Sequence, residues 1–141
     1  MRPTSLKEVV DRALAGAPWR SVLDEFLDEF YLAIEDRQKM IADEPAVLGD
    51  ARSDAYIGAV GEHLARRWGL TVPGWTDDPR RILSKPYFDG DVELLKPYLL
   101  MESPLAFRRR MIFTELEPLR RGRFPREQMI KSPYDGDLSQ D

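Results

Sequence analysis

The chain has no cysteine, no asparagine and a single histidine among its 141 residues. Without Cys there is neither a disulfide nor a thiolate metal site. One His and no Cys cannot assemble the usual zinc sets. The same scarcity limits nucleophilic catalysis, because a Ser-His-Asp arrangement would have to use His63 and no Asn is present to orient it. Neither G-x-G-x-x-G nor G-x-x-x-x-G-K-[ST] occurs, so nothing supports a nucleotide cofactor. The run FDGD at Phe88–Asp91 matches part of a calcium loop but lacks its ligand spacing and closing Glu. No stretch approaches the ~20 apolar residues that span a bilayer, and the N-terminal MRPTSLKEVV lacks the apolar run of a signal peptide. These absences describe a soluble, cytoplasmic chain with no cofactor, no metal and no membrane partner.

What is present is ordinary core-forming material. Hydrophobic residues make up 43% and charged residues 33%, which is enough for one self-contained domain. The expected organisation is all-α: a single-domain irregular bundle of five or six helices over residues 1–124, followed by a flexible acidic C-terminal tail over 125–141.

A first helix is expected over Leu6–Ala15, with Ser5 and Glu8 at capping-box spacing and Gly16 placed to end it. The second, Trp19–Ala42, carries a 3.6-residue apolar stripe of Trp19, Val22, Leu23, Phe26, Leu27, Phe30, Ile34 and Ile41. The third, Asp54–Trp68, follows a Ser53 cap, and Gly58 and Gly61 within it point to close approach of another helix. A short helix over Pro79–Ser84 follows Asp78, and another covers Val92–Met101, with Pro97 at its start or at a kink. Ser103-Pro104 then reads as a cap and first turn of a helix running to Glu117 and halted by Pro118. No strand shows convincing alternation.

Charge is distributed unevenly. Residues 1–107 hold 13 Lys+Arg against 19 Asp+Glu, whereas residues 108–131 hold 8 against 3. Two candidate surfaces result. Asp24, Glu25, Asp28 and Glu29 lie opposite the apolar stripe of the second helix, as a solubilising face or a docking face for a basic protein. Arg120, Arg121, Arg123 and Arg126 lie beyond Pro118, while Arg108–Arg110 fan around a helix. Those arginines are open to three uses: pairing with the acidic helix of the same chain, binding an acidic partner protein, or binding nucleic acid with Phe113 and Phe124 stacked on bases. Glu62 and His63 are the residues an enzyme would have to use, although the two point to different helix faces.

The stretches WRSVLDEFLDEFY, DAYIGAVGEHLARRWGL, VPGW and ESPLAFRRRMIFTELEPLRR resemble those of small bacterial proteins of unknown function that are often paired with nucleotidyltransferase-like proteins, in arrangements similar to toxin–antitoxin modules. The resemblance spans residues 19–122 and implies a non-catalytic partner that masks or regulates an enzyme. It carries over no individual residue. The expectation is therefore a non-catalytic protein-binding module, an antitoxin-like neutraliser or regulator of a partner enzyme. A nucleic-acid-binding regulator using residues 108–126 and an enzyme using Glu62 and His63 are the alternatives, and a homo-oligomer is left open.

Overall fold

A computed structural model describes residues 1–90 and 93–130. Six α-helices and one two-residue parallel strand pair lie among them. Asp91 and Val92, which the sequence places in a turn and at a helix start, and the tail from residue 131 onward lie outside the described residues.

Helix α1, Leu6–Leu14, is capped by Ser5 as expected, with the return bond to Glu8 coming from Thr4, one residue before the cap. The Ser5 hydroxyl accepts from the Glu8 N–H, and the Glu8 carboxylate accepts from the Thr4 N–H. Gly16 follows at φ +112°, a conformation without steric cost for glycine alone. Helix α2, Trp19–Leu32, buries Val22, Leu23, Phe26, Leu27, Phe30 and Tyr31 against α1 and the rest of the core.

Contrary to the sequence reading, this helix does not continue to Ala42. Ala33 is extended, at φ −72° and ψ 146°, and a separate helix α3 spans Arg37–Ala42. The cause is Arg37, whose buried guanidinium donates to the Phe30 and Tyr31 carbonyls that the end of α2 leaves free. The break resets the helical phase. Ile34, expected on the core stripe, is 74% exposed, while Met40 and Ile41 of α3 turn inward.

Helix α4, Ala51–Arg67, is the centre of the molecule, with every residue from Asp54 to Ala65 buried. Its cap is Asp50, which accepts from Ser53 N, so the helix starts three residues earlier than Ser53 suggested. The glycines do mark a close approach, but not of a helix. A Cβ on Gly61 would lie 2.7 Å from the Trp75 ring, and one on Gly58 would lie 3.0 Å from the Arg81 Cβ. Trp75 and Arg81 belong to two 3-10 turns, Gly74–Asp77 and Pro79–Arg81, which lie directly on α4.

Helix α5, Lys96–Glu102, ends at Ser103, whose hydroxyl donates to the Leu99 carbonyl and accepts from Thr114 N. Ser103 therefore closes α5 and does not cap the next helix. That helix, α6, is only Leu105–Arg108 and does not reach Glu117. Met111, at φ 66°, turns the chain into strand β2, Ile112–Phe113, which pairs in parallel with β1, Tyr87–Phe88. On either side of this turn Arg110 and Ile112 are both 0% exposed, and Arg110 reaches Glu62 on α4.

From Glu117 the chain runs back over the bundle as a strap. Tyr31 donates its hydroxyl hydrogen to the Leu119 carbonyl at 2.7 Å, Phe124 packs edge-on against Tyr31 and Trp68, and Glu117 pairs with Arg67. Residues 125–130, which the sequence assigns to the tail, lie along the same surface. Arg37 donates to the Gln128 side chain, and Ile130 N donates to the Arg67 carbonyl.

Candidate functional site

The Glu62–His63 pair is a structural centre. Glu62 is fully buried and held by three guanidinium groups: Arg110 at 2.6 Å, Arg66 at 2.8 Å and Arg109 at 3.3 Å. Burial pushes its carboxyl up. The hydrogen bonds from Arg110 and Arg66 and the nearby positive charge outweigh that, so it sits below the ordinary glutamate value. Arg110, itself 0% exposed, also donates to the Ala106 and Thr76 carbonyls, which ties α4, α6 and the Trp75 turn together.

His63 faces elsewhere, edge-on to Phe107 with ring centroids 5.5 Å apart. Burial, reinforced by the charge of Arg67, pushes its imidazole down to about 3. It is a neutral core residue at any pH near 7. The two side chains face different partners and do not form an acid–base dyad.

The acidic and basic candidate surfaces meet within the chain. Arg121 donates to Asp28 at 3.0 Å and lies 3.5 Å from Asp24, and Arg2 pairs with Glu29 at 3.2 Å. Glu25 stays exposed. Of the other strap arginines, Arg126 lies over the Phe124 ring at 5.3 Å, and Arg120 and Arg123 are exposed. Arg108 donates to the Met101 and Ser103 carbonyls, and Arg109 to Glu62 and Asp77. Phe113 stacks on Phe88 and Phe124 joins the aromatic cluster, so neither ring is a free platform for a base. No group of three or more His, Asp or Glu among the described residues could hold a metal ion.

A surface that the charge pattern did not point to is the outer face of α5 and the 3-10 turn Glu93–Leu95 before it. Leu94, Tyr98 and Met101, spaced i, i+4 and i+7, are 86%, 62% and 72% exposed. Leu95, Leu100 and Leu116 are also exposed, while Leu99 is the one residue of α5 that is buried. The sequence signal was present in ELLKPYLLM, which is apolar on all sides. A helix of that kind needs cover on more than one face, and the described residues bury only Leu99 of it.

No protein-family model, no curated protein and no solved structure matches this chain. No helix among the described residues is long and apolar enough to cross a membrane.

Proposed function

We propose that the chain is a protein-binding module that docks through the exposed face of α5, and that it acts as a non-catalytic neutraliser or regulator of a partner enzyme. The observation that carries this reading is the row of exposed apolar side chains Leu94, Tyr98 and Met101, at helical spacing along one face. Contiguous apolar patches on a monomer mark interaction sites, and each large side chain gains roughly 1.5–3 kcal/mol when fully buried. The buried, arginine-bound Glu62 and the neutral His63 fit the same reading, since both serve the core.

The resemblance over residues 19–122 makes a nucleotidyltransferase-like toxin the partner to try first. The test is co-expression with the products of adjacent genes, followed by gel filtration at low micromolar concentration. A complex is expected with the native chain and not with Leu94→Glu/Tyr98→Glu/Met101→Glu. Separate elution of native chain and neighbour at low salt overturns the reading.

A second reading rests on Arg120, Arg123 and Arg126, which are exposed and form no ion pair with a described residue. Nucleic acid bound there would be released steeply by salt. The absence of any gel retardation of DNA or RNA at ~50 mM salt, where phosphate contacts count most, removes it.

A further inference from the structure

We infer that the occupant of the α5 face is a cationic amphipathic segment of the partner protein; this rests on the protein-binding reading above. Beside the stripe lies a cleft of about 360 Å³, lined by Leu95 and Leu99 of the α5 region and by Asp89, Gly90, Thr114 and Glu115 at the ends of the strand pair. Its apolar wall and acidic edge suit a long side chain that is aliphatic along its stem and positive at its tip.

The charges around α5 are committed unevenly. Lys96 is paired with Glu93 at 3.2 Å and lies over the Phe88 ring at 5.0 Å. Arg20 is paired with Asp89 at 3.1 Å, and Arg108 is spent on the carbonyls that end α5. By contrast, Glu102 and Glu115 are exposed, and neither forms an ion pair with a described residue. The bases of this surface are therefore engaged and two of its carboxylates are not. A neutral apolar segment would desolvate those carboxylates without compensation, and an acidic one would add repulsion. Basic residues flanking apolar anchors satisfy both. A second copy of the chain fits poorly, because it would bring the same unpaired Glu102 and Glu115 while its own Lys96, Arg20 and Arg108 are engaged, and so supplies no counter-charge.

The probe is a pair of synthetic helical peptides with one apolar face, flanked by Lys in the first and by Glu in the second, followed by fluorescence anisotropy. The Lys peptide is expected to bind the native chain about tenfold or more tighter than the Glu peptide, with a preference that shrinks as salt rises. Glu102→Gln/Glu115→Gln should erase that preference, and Tyr98→Glu/Met101→Glu should abolish binding of both. All four positions are exposed, and circular dichroism checks that each variant folds. Equal binding of the two peptides, both lost in Tyr98→Glu/Met101→Glu, overturns the cationic assignment and leaves the apolar docking face standing. Binding that ignores Tyr98→Glu/Met101→Glu overturns both. Failure of the Lys peptide to bind overturns the cationic assignment, with co-elution deciding the wider reading. Concentration-dependent dimerisation abolished by Tyr98→Glu assigns the face to a second copy and also overturns it.

Discussion

His63 makes the stability of this protein depend on pH in a window where nothing else of its type titrates, since it is the only histidine. In the fold it is 3% exposed, and its imidazole is pushed down to about 3 by burial and by Arg67. In the unfolded chain it takes up its proton near ~6.5. A group with a depressed folded value contributes fully above the unfolded value and progressively less as pH falls toward the folded one. Each pH unit below ~6.5 thus removes roughly 1.4 kcal/mol, and the loss between pH 7 and pH 5 is about 2 kcal/mol. That is a substantial part of the ~5–15 kcal/mol typical of a domain. Urea unfolding followed by tryptophan fluorescence at pH 7, 6 and 5 measures it, with His63→Leu as the reference. The carboxylates contribute almost equally to both chains, so the difference in slope isolates His63. The native chain should lose about 2 kcal/mol more than His63→Leu over this range. Parallel pH curves, or a His63 ring-proton titration midpoint above ~6, would refute the reasoning.

Glu62→Ala leaves Arg110 buried without its carboxylate and should cost about 3–5 kcal/mol in urea unfolding. Glu62→Ala/Arg110→Met should be more stable than Glu62→Ala alone, and simple additivity would show that the pair is not coupled. In Gly61→Ala the new methyl meets the Trp75 ring at 2.7 Å, and the indole is held by its bond to the Ile41 carbonyl at 2.9 Å. Overpacking of about 1–3 kcal/mol should then exceed the ~1 kcal/mol gained in helix propensity, so a raised melting temperature would contradict the geometry. Arg121→Ala removes a partly solvated pair with Asp24 and Asp28 and should cost less than about 1 kcal/mol, with the effect shrinking at high salt.

The helical class of the fold was legible because the signals behind it are local. Ser5 with Glu8, and the stripe from Val22 to Phe30, mean the same thing in any context. The errors came from arginines that spend their donors inside the fold, on backbone carbonyls or a buried carboxylate. Arg37 ends α2 by reaching back to Phe30 and Tyr31, and Arg110 pulls the chain out of a helix to meet Glu62, 48 residues away. Nothing in a periodicity says which arginine will be buried. The same holds for α4, where a periodicity does not say that Asp54, Glu62, His63 and Arg67 are all buried. Charge drew the reading toward 108–126, where Arg108, Arg109, Arg110 and Arg121 are occupied inside the molecule. The α5 face carries its signal in a surplus of apolar residues, which is visible only once the helix has been placed and found to have one side covered.

The strand pair β1–β2 joins Tyr87–Phe88 to Ile112–Phe113 in parallel, so the excursion that carries α5 leaves and returns at one clasp. Ser103 adds a second stitch to Thr114, while the main packing of α5 is against β2 and the turn before it. The helix is therefore hung from the bundle and not built into it. With only Leu99 buried, it can open as a local unit while α4 stays closed. Amide hydrogens of α5 should exchange well before those of α4. A docked partner would first be felt as slowed exchange confined to that excursion, before anything registers in the centre of the bundle.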